Sequence, residues 1–171
     1  MAVEADTRDE VVQLAAFQVG DEEYVVDIRR VREIIRVVPV TPVRKGPKYV
    51  EGVINLRGSV IPIIDLRRRF ELPVLDSPQR KIIIMTIEGR VLGIMVDAVT
   101  EVVRAPRSSI RPAPGLLDSE HAPFFLGVCH FRGRTLVLLN VKNIVASDDP
   151  INPPRVDGLT DKGAVWGDKR E

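Results

Sequence analysis

Apolar and polar positions alternate along this chain in short bursts, and the bursts come in pairs. Residues 14–19 and 23–28 are β-rich runs around Gly20-Asp21-Glu22, and 82–87 and 91–96 are similar runs around Glu88-Gly89-Arg90. Two such runs joined by a short glycine-containing stretch predict a β-hairpin. The same logic predicts hairpins over 50–56/60–65 and 125–131/135–140, turning at Arg57-Gly58 and Arg132-Gly133. Glycine suits such turns because a positive φ costs it little. Pro62 cannot donate a ladder hydrogen bond, which places an edge or a bend in its strand. Between hairpins the period changes. Ile28, Val31 and Ile34, and again Val96, Val99 and Val102, recur every three residues. That spacing predicts a short helical turn with one apolar face in each half. Residues 34–38 then resume an extended run, and a short strand reaches Arg104. "PVTPVRKGPKY" and "APRSSIRPAPGLLDSEHAPFF" read as proline-punctuated loops.

The pairing of bursts reflects an internal duplication, which has to be recognised before the fold can be assigned. "FQVGDEEYVVDIRRVREIIR" (17–36) overlays "MTIEGRVLGIMVDAVTEVVR" (85–104) at a constant offset of 68. "GVINLRGSVIPIIDLR" (52–67) overlays "GVCHFRGRTLVLLNVK" (127–142) at an offset of 75, so the second half carries seven extra residues between the blocks. Each half reads as five strands. Five short strands cannot bury both faces of an open sheet, so each half is expected to close into a small barrel. Two barrels packed together share one larger core. The expected architecture is mainly β: barrel-forming halves at about 13–78 and 79–147 within one domain of 11–147, with room for strands to exchange between them. Residues 1–10 and 148–171 read as flexible tails.

Composition narrows the function. The chain has 171 residues, of which 44% are hydrophobic and only 5% aromatic, which predicts an aliphatic core. No apolar run approaches the length that spans a bilayer, and the acidic start "MAVEADTRDE" is no signal peptide, so a cytoplasmic protein without membrane insertion is expected. The single Cys129 excludes an internal disulfide and reads as a buried structural thiol. The balance over 11–147 is 20 Lys/Arg against 14 Asp/Glu, too weak and too dispersed for a nucleic-acid binder, and there is no aromatic platform. "LRRRF" (66–70) reads as a solvated strand end. His121 and His130 have no partner at metal-ligand spacing, and no nucleotide or nucleophile-elbow motif occurs. Ser108 and Ser109 have no base in view. Asp27 and Asp65 each end an apolar strand, where a carboxylate commonly accepts backbone N–H bonds. No catalytic residue, metal site or cofactor is indicated.

What recurs in both halves is a glutamate and an arginine. Glu33 and Arg57 occupy the places that Glu101 and Arg132 take in the second half. Each pair is expected to form a bidentate bridge beside a turn, because an unpaired arginine at a partly buried pinch would be costly. Gly52, Gly58, Arg132, Gly133 and Glu101 read as the structural turn set.

These blocks resemble the CheW family of chemotaxis coupling proteins. The resemblance rests on "GVINLRGSVIPIIDLR", "FQVGDEEYVVDIRRVREII", "LGIMVDAVTEVV" and "IRPAP", and covers roughly 14–145. It implies two intertwined SH3-like five-stranded barrels and a non-catalytic adaptor without cofactor. It implies one surface for the regulatory domain of a CheA-type histidine kinase and an inter-barrel groove for the cytoplasmic tip of a methyl-accepting chemoreceptor. Arg57 matches the family arginine implicated in receptor coupling, and Glu33 its acidic companion. Ile28, Val31, Ile34, Val96 and Val99 match apolar positions expected near the groove, where a receptor helix would dock by its apolar stripe. The resemblance also implies recruitment to receptor arrays. A scaffold of a non-flagellar chemosensory pathway with altered partners is the alternative.

Overall fold

The computed structural model describes residues 10–44, 49–73, 75–112 and 124–146. Its strands are β1 (Val11–Val19), β2 (Glu22–Asp27), β3 (Val31–Arg36), β4 (Val50–Leu56), β5 (Ser59–Asp65), β6 (Lys81–Ile87), β7 (Arg90–Val96), β8 (Ala98–Pro106), β9 (Ile110–Arg111), β10 (Phe125–Phe131) and β11 (Arg134–Leu139). Two short helices, α1 (Leu66–Arg69) and α2 (Val141–Ala146), follow β5 and β11, and 3-10 turns occupy Ile28–Arg30 and Arg107–Ser109. His121, the tails and Trp166 lie outside the described residues.

Each sheet is assembled from both halves of the sequence. The six-stranded sheet has the order β8-β1-β2-β11-β10-β9, and the five-stranded sheet β3-β6-β7-β5-β4. The first hairpin of each half is therefore lodged in the sheet of the other half. Parallel pairing, β2 with β11 and β5 with β7, joins each guest hairpin to its host. Pro62 precedes the stretch of β5 that pairs with β7, which starts at Ile63, so its missing N–H interrupts no ladder there.

The exchange explains why the first hairpins are so uniformly apolar. Along β1, Leu14 and Ala16 face the interior of one barrel, while Ala15, Phe17 and Val19 face a core shared between barrels. Along β6, Ile82 and Ile84 face the other barrel interior, while Ile83, Met85 and Ile87 face the shared core. A strand buried on both faces loses the polar half of its alternation. The barrel interiors are mostly aliphatic, with Met95 in one and Phe131 and Cys129 in the other; Cys129 is fully buried as expected. The shared core departs from the aliphatic expectation: Phe17, Tyr24, Phe70 and Phe125 cluster there with ring centroids 5.5–6.5 Å apart. Burial pushes the Tyr24 phenol well above its ordinary pKa, so it stays neutral.

The three-residue spacing has a different cause from the one expected. Ile28 does sit in a 3-10 turn, but Val31 and Ile34 lie in β3, and Val96, Val99 and Val102 lie in β7 and β8. Opposite β6, the register steps from Val31 to Glu33, and opposite β1 from Val99 to Glu101. Each step is a β-bulge with one extra residue, Arg32 or Thr100, and an extra residue turns a period of two locally into three. A second bulge pair follows at Glu51 in β4 and Leu126 in β10.

Those second bulges show what Gly52 and Gly127 do. Thr41, beyond β3, bridges Val53 through two 2.9 Å backbone bonds, and Arg111 in β9 pairs with Val128. The third strand of each half thus bends across to reach the far edge and closes the barrel. A Cβ on Gly52 would fall 2.1 Å from the Thr41 carbonyl oxygen, and one on Gly127 2.7 Å from that of Arg111. Gly52 is therefore a closure residue within a strand, not a turn residue.

"LRRRF" is not a solvated end. Asp65 caps α1 by accepting the Arg67 N–H at 3.0 Å, and the capped turn drives the arginines into the structure. The Arg67 guanidinium makes two 2.9 Å hydrogen bonds to Asp97. Arg80 donates to Asp65 at 2.9 Å, and the Gly20 N–H donates to Asp97 at 2.8 Å. Arg69, buried, donates to the Ile144 carbonyl at 2.9 Å and lies 4.6 Å from the Tyr49 ring centroid. Only Arg68, bridged to Glu51 at 3.2 Å, is substantially exposed.

Candidate partner-binding site

The Arg57-Gly58 turn joins Leu56 to its cross-strand partner Ser59 with no residue to spare. A two-residue hairpin loop that matches the twist of its strands needs positive φ at both positions. Arg57 has φ 52° and Gly58 has φ 87°. Asparagine, aspartate and glycine are the usual first residues here, so an arginine is locally disfavoured. The turn is supported instead by Asn55, whose Oδ1 accepts the Gly58 N–H at 3.0 Å.

From this perch Arg57 forks onto Glu33. Its Nη1 donates to Glu33 Oε2 and its Nη2 to Oε1 at 3.0 Å. The expected pair forms, but not for the expected reason. The Arg57 side chain is 71% exposed and that of Glu33 30%, so no apolar pinch demands compensation. The hydrogen bonds from Arg57, ahead of any Coulombic effect, hold the Glu33 carboxyl below the ordinary glutamate pKa. A bridge this open contributes little to stability.

The second half repeats the backbone but not the pair. Arg132 and Gly133 have φ 53° and 78°. Glu101, a strand residue, is bound by Arg134 Nη2, and Arg134 Nε also lies 3.6 Å from Glu23. Arg132 lies over the Phe131 ring at 4.9 Å. The expected Glu101–Arg132 bridge is replaced because Arg134 sits where the first half has Ser59.

The apolar candidates separate. Ile28, Val31 and Val99 are half-buried and pack on the shared core, so the fold does bring them together. Ile34 is exposed, and Val102, its counterpart at an offset of 68, is exposed as well. Val96 is fully buried and belongs to the core alone. A groove of about 420 Å3 does lie against both barrels, but none of these residues lines it. Val37, Val38, Val43 and Val60, not among the candidates that the sequence suggested, are exposed and with Ile34 lie on the segments flanking Glu33 and Arg57. The run "RVVPVTPV" carried that signal: valines among prolines that cannot sit inside a sheet.

No group of three metal-binding side chains occurs among the described residues. His130 shares a hydrogen bond with the Thr135 hydroxyl at 3.3 Å, and the Ser109 hydroxyl donates to the Pro106 carbonyl at 2.7 Å. Asp27 accepts the Arg29 N–H at 2.9 Å, as its strand-end position suggested.

Residues 13–149 match the family described as the CheW-like domain. The chain belongs to the CheW family. It is 37% identical over 138 residues to the chemotaxis protein CheW of Rhizobium meliloti, covering 80% of this chain and 89% of that protein. It is 34% identical over 146 residues to CheW of Treponema pallidum, covering 82% and 86%. Among solved structures, the scaffolding protein TtCheW of Thermoanaerobacter tengcongensis superposes with a TM-score of 0.74 at 30% identity, over 83% of this chain and 98% of that one. As a CheW-family protein the chain is a chemotaxis coupling adaptor and not an enzyme. Its CheW fold is the intertwined double barrel, and among the described residues no helix is long and apolar enough to cross a membrane.

Proposed function

We propose that this CheW-family chain bridges the regulatory domain of a CheA-type histidine kinase and the cytoplasmic tip of a chemoreceptor, within cytoplasmic receptor arrays. The observation that carries the reading is the Glu33–Arg57 fork. An arginine stands on a turn that disfavours it, in the open, bound to a glutamate across a short gap. The same positive φ recurs at Arg132, so what sets Arg57 apart is the open fork onto Glu33, whose groups can exchange each other for a partner at little cost to the fold. The receptor contact is Arg57 and Glu33 with the adjoining apolar surface of Ile28, Val31, Ile34 and Val99; the buried Val96 supports it from beneath. The exposed valines at 37, 38, 43 and 60 supply apolar area for the kinase on the same half.

The test is a reconstituted kinase assay with receptor, kinase and this protein. Omitting the protein should abolish receptor control of the kinase, and Arg57→Ala should weaken it severalfold without loss of fold. Unchanged control by a folded Arg57→Ala variant rules out the assignment.

A further inference from the structure

The groove acquires meaning when it is compared with its counterpart in the other half. Its lining includes Val12, Arg29, Glu88, Leu126, Asn140 and Lys142. Offsets of 68 and 75 place these on Arg80, Asp97, Gly20, Glu51, Asp65 and Arg67. That set is the buried ion-pair corner, with the Glu51–Arg68 bridge beside it. One copy of this corner is filled by arginine side chains, and the other is open.

The two copies also differ in charge. In the closed copy Arg67 and Arg80 balance Asp65 and Asp97. In the open copy the lining carries Arg29, Arg30, Arg107 and Lys142 against Asp27 and Glu88. Arg29 holds Asp27 at 2.7 Å and Lys142 holds Glu88 at 2.8 Å, which leaves Arg30 and Arg107 as a surplus, the latter only loosely met by Glu10 at 3.4 Å. The floor is apolar: Met85, Ile87, Ile110 and Leu138 lie there, and Leu126 stands 51% exposed at its mouth. A cation would be repelled from the surplus, whereas a carboxylate beside an apolar side chain meets both features.

We infer that this groove is a second docking site, separate from the Arg57 surface, for a peptide segment of a protein partner in which apolar residues are flanked by carboxylates. It goes beyond the receptor contact proposed above, because no residue of that contact lines it. The apolar side chain enters over Leu126 and Leu138, and the carboxylates meet Arg30 and Arg107.

The probe is a fluorescein-labelled synthetic peptide with two leucines flanked by aspartates, titrated into the full chain by anisotropy and by methyl NMR. Binding with shifts at the Ile110, Leu126 and Leu138 methyls is expected. Leu126→Glu and Arg30→Glu, both at exposed positions that the fold tolerates, should each weaken it about tenfold. Arg57→Ala should leave it unchanged, which keeps this result independent of the receptor assay. The inference is overturned if the methyls do not move at millimolar peptide, or if a lysine-flanked or leucine-to-serine peptide binds equally well. It is equally overturned if the methyls move without peptide on Asp148→Lys/Asp149→Lys substitution, making the chain's own C-terminal segment the occupant, or with protein concentration alone, making it a second copy.

Discussion

Arg67 and Arg57 each hold a carboxylate by two hydrogen bonds, Arg67 through Nε and Nη2 and Arg57 through Nη1 and Nη2, and their settings have almost nothing in common. Arg67 and Asp97 are nearly enclosed, and the carboxylate also takes the Gly20 N–H, so the pair ties the corner of one barrel to the hairpin of the other. Arg57 stands in solvent on a strained turn and holds a half-buried Glu33 of β3. Geometry alone does not say what an ion pair is for. Enclosure turns the fork into a structural tie, because removing either partner strands a charge. Exposure removes that cost and leaves the groups free to exchange one partner for another.

The enclosed fork carries the largest expected effect. Asp97→Ala strands Arg67 and is expected to lower unfolding stability by about 3–5 kcal/mol, read from urea denaturation. A shift no larger than that of Glu33→Ala, for which an unchanged midpoint is expected, would erase the distinction. Next comes the repeat itself. Ser59→Arg places an arginine where the second half has Arg134, so it should capture Glu33, release Arg57 and reduce receptor control of the kinase as strongly as Arg57→Ala does. A crystal structure in which Arg57 still holds Glu33 would show that residue 59 does not decide the pairing. A smaller effect separates turn from function: Arg57→Asn suits the positive φ, so it should keep or slightly raise the urea midpoint while coupling is weakened severalfold, as by Arg57→Ala. The same change at Arg132 should leave coupling intact. The smallest effect is a titration. Hydrogen bonds from Arg57 depress the Glu33 pKa, so the bridge is complete above the ordinary glutamate range, near 4.5, and is lost as pH falls through the depressed value. Carboxyl NMR should find the Glu33 midpoint below that of an ordinary glutamate, and Arg57→Ala should return it.

The halves and their hairpins were legible because duplication writes each pattern twice and glycines mark the turns. The barrel closures were hidden, since Thr41 meets Val53 through backbone atoms and the only trace is a glycine at 52 that resembles a turn residue. The bulges were misread because an added residue at Arg32 or Thr100 imitates helical spacing. The partner of Glu101 was beyond sequence alone: Arg132 and Arg134 are both close enough in the chain, and only the cross-sheet position of Glu101 selects the latter. "LRRRF" failed for a related reason. A charge run is buried only when its partners arrive from elsewhere, here the Asp97 carboxylate and the Ile144 carbonyl, both distant in sequence.

The hairpin exchange has a consequence for how the chain is made. On the ribosome, β1 and β2 emerge first among the described strands, yet the strands of their sheet, β8 to β11, emerge last among them. The five-stranded sheet likewise waits for β6 and β7 before β3 gains a neighbour. Neither half can complete a barrel by itself: the five-stranded barrel has all its strands once β7 is made, whereas the six-stranded barrel waits for β8 to β11. An ancestor with a single copy of the repeat could have built this fold only by trading hairpins with a second molecule.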